Sequence, residues 1–377
     1  METPAFCPNP KCRYHFGLDH KTKFYNKSGT YLTAAFGQVQ RYKCIFCGKG
    51  FSEQTFSLDY YNKKVISYRQ ILKHIYTTSS VRDICREFGI SVDSVNNRIA
   101  RMARQAIGCF FYVETMEFGL REPLVADGFE SFCVSQYFPN NINLLLGKNS
   151  QFIYFTNYVT IRRKGRMNEK QKAKRAELEK VFLADPAGIY KSFRDLLYFS
   201  VELFNNIKTW GIKLFTDKKK EYARAFRDDD AVFWLHKDGL YDHFRISSRE
   251  PRTLSNHLFS ANYLDRQIRK DLSDHVRETV CFARNVMNMM DRLMVYFFYH
   301  NYMKKFRTRC KSFISHAQAA GIPAEEVEKI QGLFFGPRIF YSHLPRLFYT
   351  MDDLWRRKLQ TPLKEGEEYI PKHAVAA

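Results

Sequence analysis

The sequence predicts a multidomain α/β protein, and three observations support this fold class. The chain has 377 residues, which is enough for two or three domains that each bury a core. Paired cysteines stand near its beginning, ahead of helix-like segments at residues 65–107. Beyond residue 120, short apolar runs typical of strands alternate with longer amphipathic runs typical of helices. We therefore expect small N-terminal modules, a larger domain of strands and helices, and a helical C-terminal region.

Composition excludes several classes of protein. Hydrophobic residues make up 45% of the chain and charged residues 26%, a globular balance that excludes disorder of the whole chain. Nine cysteines in 377 residues are too sparse for a secreted disulfide scaffold. The N-terminus shows no secretory signal, and no run of 18 apolar residues predicts a membrane span. A cytoplasmic location is therefore expected.

The formal net charge of +21 favours a polyanionic partner, with nucleic acid first. Three blocks carry the excess: +10 in residues 1–110, +6 in residues 162–180 and +8 in residues 245–311. Separate basic blocks suit a chain that holds DNA at several points, because phosphate contacts supply much of the affinity. Association with the nucleoid would follow. The alternative is that the basic blocks are the solvent-exposed faces of several helices and bind no partner.

Four of the cysteines predict a zinc ribbon. Cys7 and Cys12 form one pair and Cys44 and Cys47 the other, with 31 residues between the pairs. Zinc takes four soft ligands on a tetrahedron, and two tight turns with two thiolates each supply them. Short strands are expected between the pairs, at residues 22–25, 31–36 and 39–43. Two unrelated pairs of reduced cysteines are the alternative.

Residues 65–107 predict a helix-turn-helix. A short helix ends at Gly89, and Ser91 caps the next helix. That second helix is expected to bury a stripe that begins at Val92 and to expose a polar face to the major groove. Because Asn pairs with adenine and Arg with guanine, the residues expected to contact DNA are Asn96, Asn97, Arg98 and Arg101. An ordinary helical hairpin is the alternative.

Two aspartates stand inside runs typical of buried strands. Asp127 lies within the apolar run from residue 123 to 132, and Asp217 ends the run from residue 212. A buried charge is costly unless a metal or partner compensates, and two aspartates on adjacent strands can share divalent cations. A third acid is expected on a later helix over residues 262–284, and Asp265 is preferred, with Asp271 and Asp291 in reserve. For each of these aspartates, the alternative is a purely structural role.

In their order and combination, these motifs resemble bacterial insertion-sequence transposases with a zinc ribbon, a helix-turn-helix and an RNase H-like DDE domain. The resemblance covers most of the chain and is carried by the four cysteines, by segment 85–104, by Val-Ala-Asp127-Gly and by Phe-Thr-Asp217. Where the family typically has a glutamate as its last acid, this chain has none. Either Asp265 replaces it in a DDD triad, or the acid lies elsewhere, or the chain is inactive.

The resemblance implies four regions along the chain. They are a zinc ribbon at 1–58, a helix-turn-helix domain at 59–110, an RNase H-like catalytic domain at 118–310 whose mixed sheet is flanked by helices, and a helical C-terminal region with a tail at 311–377. A basic helical insertion is expected near residues 162–200, inside the catalytic domain.

The resemblance further implies a DNA transposase. Two Mg²⁺ ions held by Asp127, Asp217 and Asp265 would support cleavage at the element's ends and transfer of the strands to a target by in-line attack. The expected DNA contacts in the basic blocks are Arg162, Arg163, Lys164, Arg166, Arg266, Arg269, Lys270 and Arg277. The aromatic C-terminal region suggests a homodimer or higher oligomer on DNA. A sequence-specific DNA-binding protein or domesticated relative that does not cut, and a metal-dependent nuclease, are the alternatives.

Overall fold

The computed structural model describes residues 4–16, 23–115, 122–205, 211–276, 279–309, 311–344 and 359–364. In these ranges the chain contains a small antiparallel sheet and a larger mixed sheet flanked by helices, which confirms the predicted mixed α/β architecture. None of the helices described is long and apolar enough to cross a membrane. Arg277 and the tail after Lys364 lie outside the described residues.

The N-terminal sheet has three antiparallel strands in the order β1-β2-β3. Their bounds are β1 Tyr25–Thr33, β2 Gly37–Cys44 and β3 Gly50–Ser52. The sequence predicted separate strands at 22–25 and 31–36, but β1 runs through the residues between them. A register shift between Lys27 and Thr30 absorbs the irregularity, and Gly29 takes a φ of 75° there. The expected break is therefore a bulge within one strand.

Three helices follow the small sheet. Their bounds are α1 Tyr68–Tyr76, α2 Val81–Phe88 and α3 Val92–Thr115. Ser80 and Asp83 form a capping box at the start of α2, and Gly89 ends it in the left-handed conformation. The turn between α2 and α3 thus lies where the sequence predicted it. Val92, expected in the buried stripe, is instead 43% exposed.

The larger sheet has five strands in the order β6-β5-β4-β7-β8. Their bounds are β4 Leu124–Phe132, β5 Pro139–Gly147, β6 Ile153–Thr160, β7 Ile212–Asp217 and β8 Tyr241–Ile246. β5 pairs antiparallel with β4 and β6, whereas β7 pairs parallel with β4 and β8. Apolar runs at 123–132, 152–161, 212–217 and 244–247 predict four of these strands, and the sequence missed β5.

Helices cover both faces of this sheet. Their bounds are α4 Glu169–Glu179, α5 Gly188–Asn205, α6 Lys220–Asp228, α7 Asp230–Lys237, α8 Phe259–Asp271, α9 Val286–Phe298, α10 His316–Ala319 and α11 Ala324–Phe335. A π-helical turn, Tyr299–Met303, continues α9. The helix predicted over residues 262–284 is shorter than expected, because α8 ends at Asp271.

One hydrophobic core joins regions that the sequence separated. α3 packs against α9 and α11, and the same cluster of buried residues includes Ile71 of α1, Ile107 of α3, Leu145 of β5 and Phe334 of α11. The segment expected as a helix-turn-helix domain, the larger sheet and the C-terminal helices therefore share a core.

Two arginines of α3 face the protein interior. Arg98 and Arg101 are 4% and 9% exposed, so the expectation that both present their side chains to DNA was wrong. Arg98 donates a 2.7 Å hydrogen bond to the backbone oxygen of Lys64, and Arg101 donates a 2.9 Å bond to that of Leu58. The segment before α1 crosses this face of α3 and uses both guanidinium groups as donors for its backbone.

This arrangement predicts opposite outcomes for two neighbouring residues of α3. We expect Arg98→Ala to lower the free energy of unfolding by about 1–3 kcal/mol, because it removes a buried guanidinium that donates hydrogen bonds to the Ser94 and Lys64 carbonyls. Asn97→Ala, at an exposed position, should change it by no more than about 0.5 kcal/mol. Urea denaturation followed by circular dichroism measures both. Equal denaturation midpoints for the two variants would contradict the burial of Arg98.

Candidate functional site

The four predicted zinc ligands form a cluster. The sulfur atoms of Cys7, Cys12, Cys44 and Cys47 all lie within 4.8 Å of one another. The Sγ atoms of Cys7 and Cys47 are 3.6 Å apart, and those of Cys12 and Cys44 are 3.8 Å apart. A tetrahedron with Zn–S bonds of about 2.3 Å has edges of about 3.8 Å. The spacing therefore fits a structural Zn²⁺ ion.

Backbone turns hold these thiols in place. The Cys44 amide donates to the Lys49 carbonyl at 2.9 Å, and the Gly48 amide donates to the Cys44 carbonyl at 3.0 Å. Burial raises the pKa of the Cys7 and Cys12 thiols. Burial acts in the same direction on Cys47, but hydrogen bonds, first from the Lys49 backbone, lower the pKa of this thiol to about 7. A bound cation would favour the thiolate form of all four.

His15 stabilises the region around the cysteine cluster through hydrogen bonds and is not one of the four cysteines. Its Nδ1 is 2.7 Å from the Cys7 carbonyl oxygen, and its Nε2 is 2.6 Å from the Ser342 hydroxyl. The imidazole is fully buried. It therefore joins the cysteine cluster to the segment after α11.

The pairing of β4 with β7 brings two of the predicted acids together. Ala126 and Thr216 are partners in this parallel pair, and the next residues along the two strands are Asp127 and Asp217. Neighbours in register project from the same face of a sheet. Asp127 and Asp217 are both half-buried there.

Helix α8 adds the third predicted acid to this face. Arg269, one turn after Asp265, places its guanidinium 4.7 Å from the centre of the Phe129 ring. It also donates a 2.8 Å hydrogen bond to the Glu130 carbonyl. Because side chains alternate along a strand, Phe129 and Asp127 project from one face of β4. α8 therefore lies over the face that carries Asp127.

Two of the three acids, Asp127 and Asp265, have raised pKa values. Burial raises the pKa of Asp127 to about 6, and the negative charge of Asp217 adds to this while the Lys219 ammonium opposes it. Burial raises the pKa of Asp265 to about 7, and the charge of Asp127 adds to it, whereas the Arg269 and Arg252 cations oppose it. Perturbed acids of this kind are typical of functional sites.

The acidic cluster is wider than the cysteine cluster. Among the residues that the structure describes, only the four cysteines bring three or more potential ligand atoms within 4.8 Å of one another. The Oδ1 atom of Asp265 is buried and has no hydrogen-bond partner. An unpartnered carboxylate oxygen beside two further carboxylates is the donor chemistry that Mg²⁺ takes. The three acids therefore fit Mg²⁺ in their chemistry, while their oxygens are more widely spaced than the four sulfurs.

Gly128 lets Asp127 occupy its position in the strand. A Cβ atom at residue 128 would lie 2.0 Å from the Asn141 side-chain oxygen. Asn141 donates to Asn143 at 2.7 Å, and Asn143 donates to Asn157 and to the Ser192 hydroxyl, each at 2.9 Å. This buried amide network ties β5 and β6 to α5 on the face opposite Asp127.

Two basic residues near the acids were missed from the sequence. Lys219 places its ammonium 3.7 Å from a Glu130 carboxylate oxygen, and its charge opposes the raised pKa of both Asp127 and Asp265. Arg252 acts on Asp265 in the same way. The three lysines at 218–220, directly after Asp217, were the available signal for Lys219. Arg252 lies in an irregular segment, where no sequence pattern indicated that it would lie near the acids.

The reserve acids have other roles. Asp271 accepts a 2.8 Å hydrogen bond from the Tyr296 hydroxyl and lies 3.4 Å from the Lys304 ammonium. Asp291 is buried within α9. Asp271 therefore fixes the end of α8 onto α9.

The residues expected to contact DNA divide into two groups. Arg162 is engaged in an ion pair with Glu179 at 2.7 Å, Arg163 lies over the Tyr137 ring at 4.9 Å, and Arg269 holds Glu130. The exposed side chains in the same blocks also include Lys164, Arg166, Arg266 and Lys270, of which Lys270 lies 3.7 Å from an Asp271 carboxylate oxygen. On α3, Asn97 is exposed and Asn96 is half-buried.

Comparison with protein-family models gave no match, and comparison with curated proteins gave no similar sequence. The functional interpretation therefore depends on the geometry of the two clusters.

The cysteine cluster predicts a stoichiometric structural metal. We expect the native protein to contain about one equivalent of zinc by elemental analysis, and Cys44→Ser to lose it because three thiolates leave the tetrahedron open. Cys281→Ser, which changes an exposed cysteine outside the cluster, is the matched control and should keep its zinc. Zinc contents that are equal in the two variants would contradict the assignment.

The raised pKa values of Asp127 and Asp265 predict how stability depends on pH. An unfolded aspartate has a pKa of about 3.9, so between about pH 4 and pH 7 the folded chain holds protons that the unfolded chain has released. Stability therefore falls as pH rises through this window. Asp265→Asn should raise the thermal midpoint at pH 8 by a few degrees in metal-free buffer, and the gain should vanish at pH 4.

Thermal denaturation across this pH range, with chelator present, measures the effect. Asp238→Asn, at an exposed position on the loop after α7, serves as the control and should show no such gain. A midpoint of Asp265→Asn that equals the native one at pH 8 would contradict the burial of this acid beside Asp127.

Proposed function

We propose that the protein is a DNA transposase that cleaves strands at the ends of a mobile element and joins them to a target in a metal-dependent reaction. One observation carries the proposal: Asp127, Asp217 and Asp265 converge on one face of the sheet from two parallel strands and a helix. Carboxylates on adjacent strands are the ligands that two-metal phosphoryl transfer requires.

The residues of the site have separate roles in this proposal. Asp127, Asp217 and Asp265 would hold two Mg²⁺ ions, which supply activation of the attacking oxygen and stabilisation of the leaving oxygen. Lys219, Arg252 and Arg269 lie beside the acids and carry the positive charge that a DNA phosphate needs. In-line transfer requires no covalent link between protein and DNA, so no serine or tyrosine nucleophile is assigned.

The remaining basic surface would position the DNA. The net charge of +21 and the exposed Lys164, Arg166, Arg266 and Lys270 supply phosphate contacts. If the α2–α3 pair acts as a helix-turn-helix, Asn97 and its exposed neighbours on α3 would contact the DNA bases. Joining two ends of one element requires two active sites, so we place the protein as a homodimer or higher oligomer on DNA, at the nucleoid.

A DNA-binding protein that does not cut is the second candidate. Two observations favour it: the carboxylates are more widely spaced than the thiolates, and the Lys219 ammonium lies among them. A fixed ammonium supplies part of the positive charge that a metal would bring. This candidate would use the same basic surface without the reaction.

A cleavage assay tests the proposal. The substrate is a plasmid that carries the chain's reading frame with its flanking DNA, and Mg²⁺ is the only divalent cation. We expect Asp127→Asn, Asp217→Asn and Asp265→Asn each to lower the cleavage rate by at least about 100-fold. Loss of a residue that only hydrogen-bonds to a metal ligand already lowers activity by about 10- to 100-fold, and loss of the ligand itself should cost more. Asp230→Asn, which changes an exposed acid at the start of α7, should cleave at the native rate.

The products separate the candidates. Cleavage followed by joining to a second plasmid supports a transposase, and nicking without joining indicates a nuclease. Tight DNA binding without any cleavage in Mg²⁺ or Mn²⁺ supports the second candidate. Native cleavage rates in all three variants would overturn the role of the carboxylates.

A further inference from the structure

A groove runs along the N-terminal sheet, next to the turns that hold the cysteine cluster, and its lining includes none of the three acids. Its volume is about 650 Å³. The groove is lined by β2 and β3, by the segment 54–61 and by residues of the segment after α11. We call it the ribbon groove and define it by Tyr31, Arg41, Lys43, Lys49, Tyr61 and Arg338.

The ribbon groove has a positive lining. Arg41, Lys43, Lys49 and Arg338 contribute four cations, and none of the residues that line it, all of them within the described ranges, is acidic. The first three are exposed. A groove with one sign of charge attracts polyanions over a distance set by the ionic strength.

An exposed aromatic ring stands at this groove. Tyr61 is 91% exposed, although a tyrosine ring ordinarily covers apolar surface. Its backbone has a φ of 59°, in the left-handed region that a bulky side chain rarely adopts. Tyr31 also lines the groove, with the Arg41 guanidinium 4.7 Å from the centre of its ring. These rings offer flat faces beside the cations.

The walls of the groove are held together by contacts between distant parts of the chain. The Arg338 guanidinium lies between two rings, 4.1 Å from the centre of Tyr60 and 4.6 Å from that of Phe340. The Arg338 amide donates a 2.7 Å hydrogen bond to the Phe56 carbonyl. The hydrogen bond between His15 and Ser342 ties the segment before β1 to the same segment after α11. The groove is thus pre-formed by three separate segments.

We propose that the ribbon groove binds an unpaired stretch of a DNA strand. Its cations would contact the phosphates, and a base would stack on the exposed ring of Tyr61. A positive groove with accessible aromatic rings is the combination that proteins use for single strands, because every base presents a flat face. An acidic peptide would use the cations and leave the ring without a role. The inference rests on the proposed function, in which DNA is the substrate.

Binding to a fluorescent oligonucleotide tests this site in the full-length protein. The probes are a thymidine oligonucleotide of about 12 nucleotides and a blunt duplex of the same length. We expect Tyr61→Ala to weaken binding of the single strand by about 5- to 100-fold and Tyr61→Phe to restore it, since stacking is worth about 1–3 kcal/mol per base. Duplex binding should change by less than about twofold in either variant, because paired bases leave no face to stack on Tyr61.

Matched variants separate stacking from charge and from folding. Trp234→Ala removes an exposed ring outside the groove and should bind the single strand as the native protein does. Lys43→Ala should lower the slope of log affinity against log salt by about 0.7 for the single strand. Zinc content and thermal midpoint, measured for each variant, verify that the ribbon is intact.

The outcomes distinguish this inference from the proposed function. Single-strand binding that is unchanged in Tyr61→Ala, while duplex binding and cleavage persist, overturns the inference alone. Displacement of the single strand by a glutamate-rich peptide, together with insensitivity to Tyr61→Ala, assigns the groove to an acidic protein partner and also overturns it. A native protein that binds neither probe overturns the proposed function itself.

Discussion

The parallel pairing of β4 with β7 is the constraint on which the acidic site depends. It places Asp127 beside Asp217, although 89 residues separate them in the sequence. A parallel pair needs a crossover, and β5, β6, α4 and α5 occupy that crossover. The buried side chains of Leu124 and Leu214 fix the register, because a slip of one residue would move Asp217 to the opposite face. The basic segment inside the crossover can therefore vary without displacing the acids.

The helix that carries the third acid is also tied to the N-terminal helices. The Thr78 amide, between α1 and α2, donates a 3.1 Å hydrogen bond to the carbonyl oxygen of Asp271 at the end of α8. Arg292 of α9 donates to the neighbouring Ser79 carbonyl at 3.2 Å. With α3 packed on α9 and α11, the α1–α2 turn, α8 and α9 belong to one packed unit. A ligand that docks on the α2–α3 pair would thus be positioned relative to Asp265 by the core and not by a flexible linker.

Sequence patterns revealed the parts of this structure that depend on local chemistry. The spacing of Cys7, Cys12, Cys44 and Cys47 predicted their cluster, and acids inside apolar runs marked Asp127 and Asp217. β5 was missed because it begins with a proline and two asparagines, which strands disfavour. The buried network through Asn141 and Asn143 stabilises these asparagines, but its partners lie on β6 and α5. The burial of Arg98 was likewise invisible, because its acceptor on Lys64 comes from an extended segment with no periodic pattern.

Burial of the acids links their protonation at this face to pH. Burial, with a smaller contribution from a neighbouring carboxylate, raises the pKa of Asp127 and of Asp265, so both keep protons to a higher pH than exposed aspartates do. The Lys219 cation opposes this rise at both acids, and the Arg252 and Arg269 cations oppose it at Asp265, but both pKa values stay raised. A divalent cation brings more charge to a shorter distance than these side chains can, and it binds the ionised form. Binding of a divalent cation at this face would therefore be coupled to proton release, and its affinity would rise with pH until both acids have ionised.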